Sequence, residues 1–364
     1  MNLVFLRGIY LAGMHFSTVF RLMSPDCLRT AASRTELEHC SFSWTCRKGS
    51  QMHRIQQRTI QRRVEMAGIG LHSGSPARMA LLPAPRDTGI VFVRTDVRPV
   101  VEIEAKTENV VDTALATRIG TLDEEGRLIR IGTIEHLMAC LYGLGIDNVR
   151  VEIAGPELPA MDGSAAPFVR AVQSAGVREQ GAGRRVLVIK KKVEVRDGSR
   201  LARIVPARRP RVSCSVDYDH PLVGSQRIDA DLSEDLFVKS LCSARTFGFL
   251  RDVRRMKAAG HALGGSLENA VVIGDSSILN AGGLRFKDEF VRHKALDAMG
   301  DLALLGMPVL GHVTAVCSGH EMHNRLCREV LAHTEAFEII ETVADEEEQY
   351  VPHDAFPALV NAAA

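Results

Sequence analysis

The chain has 364 residues, 46% hydrophobic and 24% charged, with a formal net charge of +1. That length allows two domains and that composition is ordinary for a globular protein, while the near-neutral balance gives no global electrostatic basis for holding nucleic acid. No run of about 18 apolar residues occurs, so no stable membrane insertion is expected. The eight cysteines, Cys27, Cys40, Cys46, Cys140, Cys214, Cys242, Cys317 and Cys327, are scattered and form no C-x-x-C pair. Free thiols in a reducing, cytoplasmic compartment are the expectation, and a cysteine-held zinc is not.

Residues 1–51 read differently from the rest. Positions 3–14 are apolar but interrupted by Arg7 and Gly8, with no charged stretch before them and no small-x-small cleavage site after them, so a signal peptide is not expected. Met52-His53-Arg54-Ile55 has the look of a natural start. The expectation is an upstream extension without a fold, such as a misplaced start codon would add.

From Gln56 the pattern becomes regular. Residues 59–65, 77–82, 90–94 and 100–104 alternate as strands do. Gly68-Ile69-Gly70-Leu71-His72-Ser73-Gly74 marks a turn or a close backbone approach, and His72 there lies either near a ligand or in a plain hairpin. Residues 133–143 form a compact helix with Thr133 as the expected N-cap and Gly143 at its end. Glu135 and His136 fall in its first turn; dipole compensation accounts for the former and surface exposure for the latter unless other residues join them. A strand follows at 149–153, then Met161-Asp162-Gly163-Ser164-Ala165-Ala166-Pro167-Phe168 turns into a helix.

Residues 181–186 are expected to link domain I (52–180) to domain II (187–357). Strands are expected at 186–195, 202–205, 211–216 and 226–231. Ser243-Ala244-Arg245-Thr246-Phe247-Gly248-Phe249 precedes a strand–helix–strand insert near 247–275 that could line an apolar slot. A long helix at 288–305, a strand at 309–316 and a final helix at 321–340 complete the domain, and 358–364 is an apolar tail. The fold class expected is α+β: two similarly built domains, each a sheet packed on helices, with a site in the cleft between the helix layers.

The chemistry concentrates in the long helix. His293, Asp297 and Asp301 recur at i, i+4 and i+8 and so share one face. A solvated polar stripe would explain them, but a buried carboxylate needs a partner or a metal. His293 and Asp297 can chelate one divalent ion, and N/O ligands suit zinc, with His136 as the third ligand. Glu135, beside a ligand, is then a general base; His320, at a strand end, a general acid; Asp301 the carboxylate that holds its imidazole; and Thr246 a hydroxyl for the oxyanion.

Thr133-Ile134-Glu135-His136-Leu137, the Asp162-Gly163-Ser164 stretch, Ala244-Arg245-Thr246-Phe247-Gly248-Phe249, the H-K-x-x-D-x-x-G-D run from His293 and Ser318-Gly319-His320 together resemble one family, the bacterial zinc-dependent UDP-3-O-acyl-N-acetylglucosamine deacetylases of lipid A biosynthesis. The likeness runs from about Gln56 to about Pro357. It implies one catalytic Zn²⁺ on His136, His293 and Asp297, with Glu135, His320, Asp301 and Thr246 catalytic. It implies substrate contacts at Lys294, Phe247, Phe249, Leu115, His72 and Gly319, and an acyl-chain passage in the insert. An acylated UDP-sugar is the implied small-molecule partner, and a monomer is expected. Cys317 stands where a lysine can precede Ser-Gly-His, and Ala116 where a cysteine can occur. The competing readings are a zinc amidohydrolase on another nucleotide sugar and a non-enzymatic protein with a structural zinc.

Overall fold

The computed structural model describes residues 56–342. The N-terminal extension expected over 1–51 and the 358–364 tail lie outside the described residues. Two five-stranded sheets organise the rest. Strands β1 to β5 are Val64–Ile69, Pro76–Pro83, Ile90–Arg94, Val101–Glu104 and Val149–Ala154. Strands β6 to β10 are Val193–Asp197, Arg200–Val205, Arg211–Tyr218, Gly224–Asp231 and His312–Val316. The first sheet runs β1-β2-β5-β3-β4 and the second β6-β7-β10-β8-β9. In each, the last strand in sequence is inserted at the centre, antiparallel to the second and parallel to the third. The two halves are thus one topology used twice.

A parallel pair cannot be closed by a tight turn and needs a long crossover. Each crossover carries a helix: α1, Glu135–Leu144, lies between β4 and β5. Helices α2, Ala166–Ala175, and α3, Leu250–Ala258, come next in sequence, and α4, Glu289–Leu302, lies between β9 and β10. Helix α5, His320–Ala332, follows β10. Helix α1 packs on α4, α4 on β8 and β9, and α5 on β6 and β7. One apolar core runs through both halves, joining Phe92, Ile103 and Val151 of the first sheet to Leu137 and Leu141 of α1, Leu296 and Met299 of α4, and Val212 and Val216 of the second sheet. The architecture is the α+β fold with two similarly built halves that the sequence led us to expect.

Several elements differ from the pattern expected. Residues 59–65 are two strands, broken at 61–63, and the first of them, Gln56–Ile60, pairs with Val177–Gly183 rather than joining the main sheet. The 181–186 segment is extended chain: it holds the end of that strand, then Arg184, whose guanidinium meets Asp147 at 2.6 Å, then the start of Arg185–Ile189. The 309–316 strand breaks at Gly311, where a Cβ would press on Ile189 and Ile204; Val309–Leu310 pairs with Arg185–Ile189, and the remainder crosses into the second sheet. The final helix stops at Ala332, and Phe337–Glu341 is a strand antiparallel to Arg185–Ile189. A three-stranded sheet of Val110–Asp112, Arg118–Leu122 and Leu128–Ile131 precedes α1. The insert is a βαβ unit in which Phe247–Phe249 and Val271–Ile273 pair in parallel around α3.

Candidate active site

Helix α1 begins unusually. Thr133 does not cap it: its φ is +56°, and its hydroxyl donates to Glu157 at 2.7 Å instead. Ile134 is the N-cap residue. The first turn points inward, leaving Glu135 3% and His136 4% exposed, which removes the surface reading of His136. Opposite them on α4 lies Gly300. A Cβ there would collide with the Glu135 backbone carbonyl. The missing side chain therefore lets the two helices meet backbone to backbone, bringing α1's first turn beside the polar face of α4.

His136, His293 and Asp297 converge there, with one ligand atom from each within 4.8 Å of the others. His293 Nε2 lies 3.3 Å and His136 Nε2 3.7 Å from Asp297 Oδ1. That oxygen is buried and has no hydrogen-bond partner, an expensive condition unless a cation takes it up. The other oxygen, Oδ2, accepts from Lys294 Nζ at 2.9 Å. His293 Nδ1 lies 3.0 Å from the Ala244 carbonyl, which can only accept, so Nε2 carries the lone pair aimed at the cluster. Burial, with His293 beside it, pushes His136 down to about 3, and burial also lowers His293. Both imidazoles are therefore held neutral, as ligands must be. Burial would raise the Asp297 carboxyl, but the positive charge around it, that of the Lys294 ammonium on Oδ2 above all once the imidazoles are neutral, holds it below the usual carboxylate range. Two imidazoles and one carboxylate with an orphaned oxygen form a donor set that could hold a metal ion, and nitrogen and oxygen donors of this kind fit zinc.

Asp301, His320 and His323 form a second cluster of metal-binding residue types, but its geometry is that of hydrogen bonds. Asp301 Oδ2 accepts from His320 Nδ1 and from His323 Nδ1, each at 2.8 Å, and Oδ1 accepts from the Thr117 hydroxyl at 2.5 Å. Burial opposes ionisation of Asp301, yet the two imidazoles hold it down to about 2. Burial likewise opposes the charged form of His320, but Asp301 pushes it up to about 9. Nε2 of His320 faces Glu135 Oε1 at 3.9 Å, and Glu135 Oε2 accepts the Thr117 backbone N–H at 3.1 Å. Burial drives the Glu135 carboxyl up to about 7, with His320 opposing. A carboxyl that titrates near neutrality thus faces an imidazole that holds its proton, a pairing suited to general acid–base catalysis.

Glu135, His136, His293, Asp297 and His320 line a cavity of about 720 Å³, while Asp301, Thr117 and His323 are not part of its lining. Leu250, Val253, Met256, Leu267 and Val272 of the insert give it an apolar wall, with Arg200, Tyr218 and Lys294 also lining it. Of the residues singled out in the sequence, His72, Leu115, Thr246, Phe247, Lys294, Gly319 and His320 all line it. Leu115 does so at a φ of +64° and 51% exposed. Thr246 is fixed by its N–H, which donates to the Gly163 carbonyl at 2.8 Å. Phe249 is not part of the lining: its ring packs on Tyr218 and His220 at 5.6 and 5.2 Å. His72 is held by Glu157, whose carboxylate accepts the His72 and Ser73 backbone N–H groups at 2.9 and 2.8 Å. Thr117, Glu157 and His323 had not been singled out. Only His323 left a sequence signal, standing three residues after His320 on one helix face.

A profile of the UDP-3-O-acyl N-acetylglycosamine deacetylases matches residues 57–332. The chain is 53% identical over 284 residues to the UDP-3-O-acyl-N-acetylglucosamine deacetylase of Myxococcus xanthus, covering 78% of this chain and 89% of that one. It is 53% identical over 289 residues to the protein of that name from Anaeromyxobacter sp., covering 79% and 93%. With the one from Chromohalobacter salexigens it shares 47% over 307 residues, covering 84% and 99%.

Proposed function

We propose that this chain, which belongs to the UDP-3-O-acyl N-acetylglycosamine deacetylase family, hydrolyses the N-acetyl group of a UDP-3-O-acyl-N-acetylglucosamine to acetate and the free amine, a step of lipid A biosynthesis, with one zinc ion as cofactor. The observation that supports it most is the orphaned Asp297 Oδ1 between two neutral imidazoles, with Glu135 and His320 beside it in one cavity. His136, His293 and Asp297 would hold the ion, and the chemistry it supplies there is polarisation of the acetamide carbonyl and acidification of the attacking water.

The protein's own groups do the rest. Glu135, as carboxylate, takes a proton from the attacking water. The Thr246 hydroxyl donates to the oxygen that gains charge as the carbonyl becomes tetrahedral. His320, as imidazolium, delivers its Nε2 proton to the departing nitrogen, while Asp301 keeps its Nδ1–H in place. The C–N bond breaks, and water's oxygen leaves in the acetate. Lys294 neutralises the second Asp297 oxygen, and its Nζ lies 5.5 Å from the Phe247 ring centre. The apolar wall of the insert suits the substrate's acyl chain, with Leu115, His72, Phe249 and Gly319 as further contact or supporting positions. The domain limits that go with this reading are 52–180 and 187–357, joined through 181–186. A monomer in the cytoplasm is proposed with it; the free thiols at Cys140, Cys214, Cys242, Cys317 and Cys327 suit a reducing compartment, and among the described residues no helix is long and apolar enough to cross a membrane.

The test is metal analysis paired with acetate release from UDP-3-O-acyl-N-acetylglucosamine and from UDP-N-acetylglucosamine lacking the acyl chain. About one zinc per chain and turnover of the acylated sugar are expected. Turnover of the unacylated sugar alone would overturn the substrate, and acetate release undiminished by complete metal removal would overturn the cofactor.

A further inference from the structure

Among the buried titratable groups, His323 has no part in the chemistry above, yet it is 2% exposed and touches the carboxylate that holds the acid. It lies on α5, one turn beyond His320, and the two rings stand nearly perpendicular with centres 6.4 Å apart. Both Nδ1 atoms meet the same oxygen, Asp301 Oδ2, at 2.8 Å. An ionised carboxylate can only accept, so both nitrogens carry hydrogen. His323 Nε2 then faces the Ser318 hydroxyl at 2.9 Å, and in the neutral ring it accepts that hydroxyl's hydrogen. Ser318 lines the cavity beside His320. The chain of bonds runs from the cavity wall at Ser318, through His323 and Asp301, to His320.

We propose that His323 is a positioning residue that shares the Asp301 carboxylate with His320 and so sets how firmly the acid keeps its proton. Three donors, Thr117 on Oδ1 and the two imidazoles on Oδ2, leave the carboxylate one orientation. A charge divided between two N–H donors attracts each less than it would attract one alone. Without His323, Asp301 would bind the His320 imidazolium more tightly, and the acid would become a weaker one. The other titratable groups facing His320 are Glu135 and His136 from α1, His293 and Asp297 from α4, and His72 from the glycine-rich loop. None of them touches His323, so its replacement isolates the shared carboxylate. Asparagine is the conservative substitution, because its Nδ2, like imidazole Nδ1, is bonded to Cγ and can donate from nearly the same place.

The inference rests on His320 being the general acid, and the experiment separates the two. The zinc-loaded enzyme and its His323→Leu, His323→Ala and His323→Asn variants are labelled at histidine. The His320 ring is titrated by NMR, assigned with His320→Gln, and kcat/KM is measured against pH. His323→Leu and His323→Ala should raise the His320 titration and the basic limb of the profile together by about one pH unit, the scale of one hydrogen bond to a charged group. His323→Asn should return both to the parent values. A folded Leu or Ala variant with an unmoved His320 titration overturns the proposal, as does an Asn variant displaced as far as Leu. Should neither Leu nor Ala fold, an Asn variant displaced from the parent overturns it, and one that keeps both parent values supports it. A His320 titration that moves while the basic limb stays put supports the role of His323 and removes His320 as the acid.

Discussion

At the scale of single residues, the site separates two kinds of loss. Glu135→Gln and His320→Ala each remove a proton carrier and leave the three metal-binding side chains intact. Each should lower kcat at least ~10²-fold while metal content stays that of the parent. Asp297→Ala removes a ligand instead, and metal analysis should find the ion gone along with the activity. The pH dependence follows from which forms work. Glu135 acts as carboxylate, so activity falls as pH drops through its pKa, raised by burial to about 7 before a cation is bound. A bound cation favours the ionised form, so the acid limb of the loaded enzyme lies below that. His320 acts as imidazolium, so activity falls again as pH rises through its pKa, raised by Asp301 to about 9 before a cation is bound and lower once the cation's charge opposes the imidazolium. A bell is therefore expected, and a rate flat from pH 5 to beyond 9 with chemistry rate-limiting would dismiss this pair. The residues that could be read from sequence were those with a spacing rule: His293 and Asp297 one helical turn apart, Glu135 and His136 adjacent. Thr117 and Glu157 act from loops across chain separations of 184 and 24 residues, and no local pattern announces such contacts.

At the scale of elements, the contact between α1 and α4 carries the geometry. Gly300→Ala puts a methyl group where the Glu135 carbonyl sits, so the helices must part or tilt. Overpacking of this kind costs about 1–3 kcal/mol; denaturant unfolding should show that loss, and zinc affinity should fall with it. Gly163→Ala tests the other wall: its φ of +80° is strained for a side chain, and a Cβ would strike the Asn269 carbonyl. Reduced activity is expected there with metal content retained, because Gly163 fixes Thr246 and touches no ligand. Long amphipathic segments were legible, as α1, α4 and most of α5 show. The end of α5 was not, because Phe337, Ile339 and Ile340 suit a helix face as well as a strand. What decides is their ladder with Arg185–Ile189, a partner about 150 residues away. The three short strands between 110 and 131 escaped for a similar reason: at three, five and four residues they give alternation little to act on.

At the scale of the whole molecule, His136 belongs to one half and His293 and Asp297 to the other. A bound ion is thus a clasp between them, and ligation that favours the folded state stabilises it by about 2.7 kcal/mol when free metal is 100 times its Kd. Thermal unfolding should shift upward with zinc and return on chelation. An unfolding temperature indifferent to chelator would mean the ion does not join the halves. The α+β class and the pairing of two like halves were readable from the order of strands and helices. The inserted central strand was not, since strand order is a property of non-local pairing.

That duplicated strand order bears on why the site is lopsided. The crossover helices α1 and α4 hold equivalent places in their sheets and lie against one another. Two identical copies related by a twofold axis would have to offer the ion matching donors from each side. Tethered as one polypeptide, the copies are free to diverge, so that in the proposed mechanism one contributes a single donor and the base while the other contributes a chelating pair and the carboxylate behind the acid. Such broken symmetry lets a planar, two-faced amide meet a nucleophile from one direction and a proton from another.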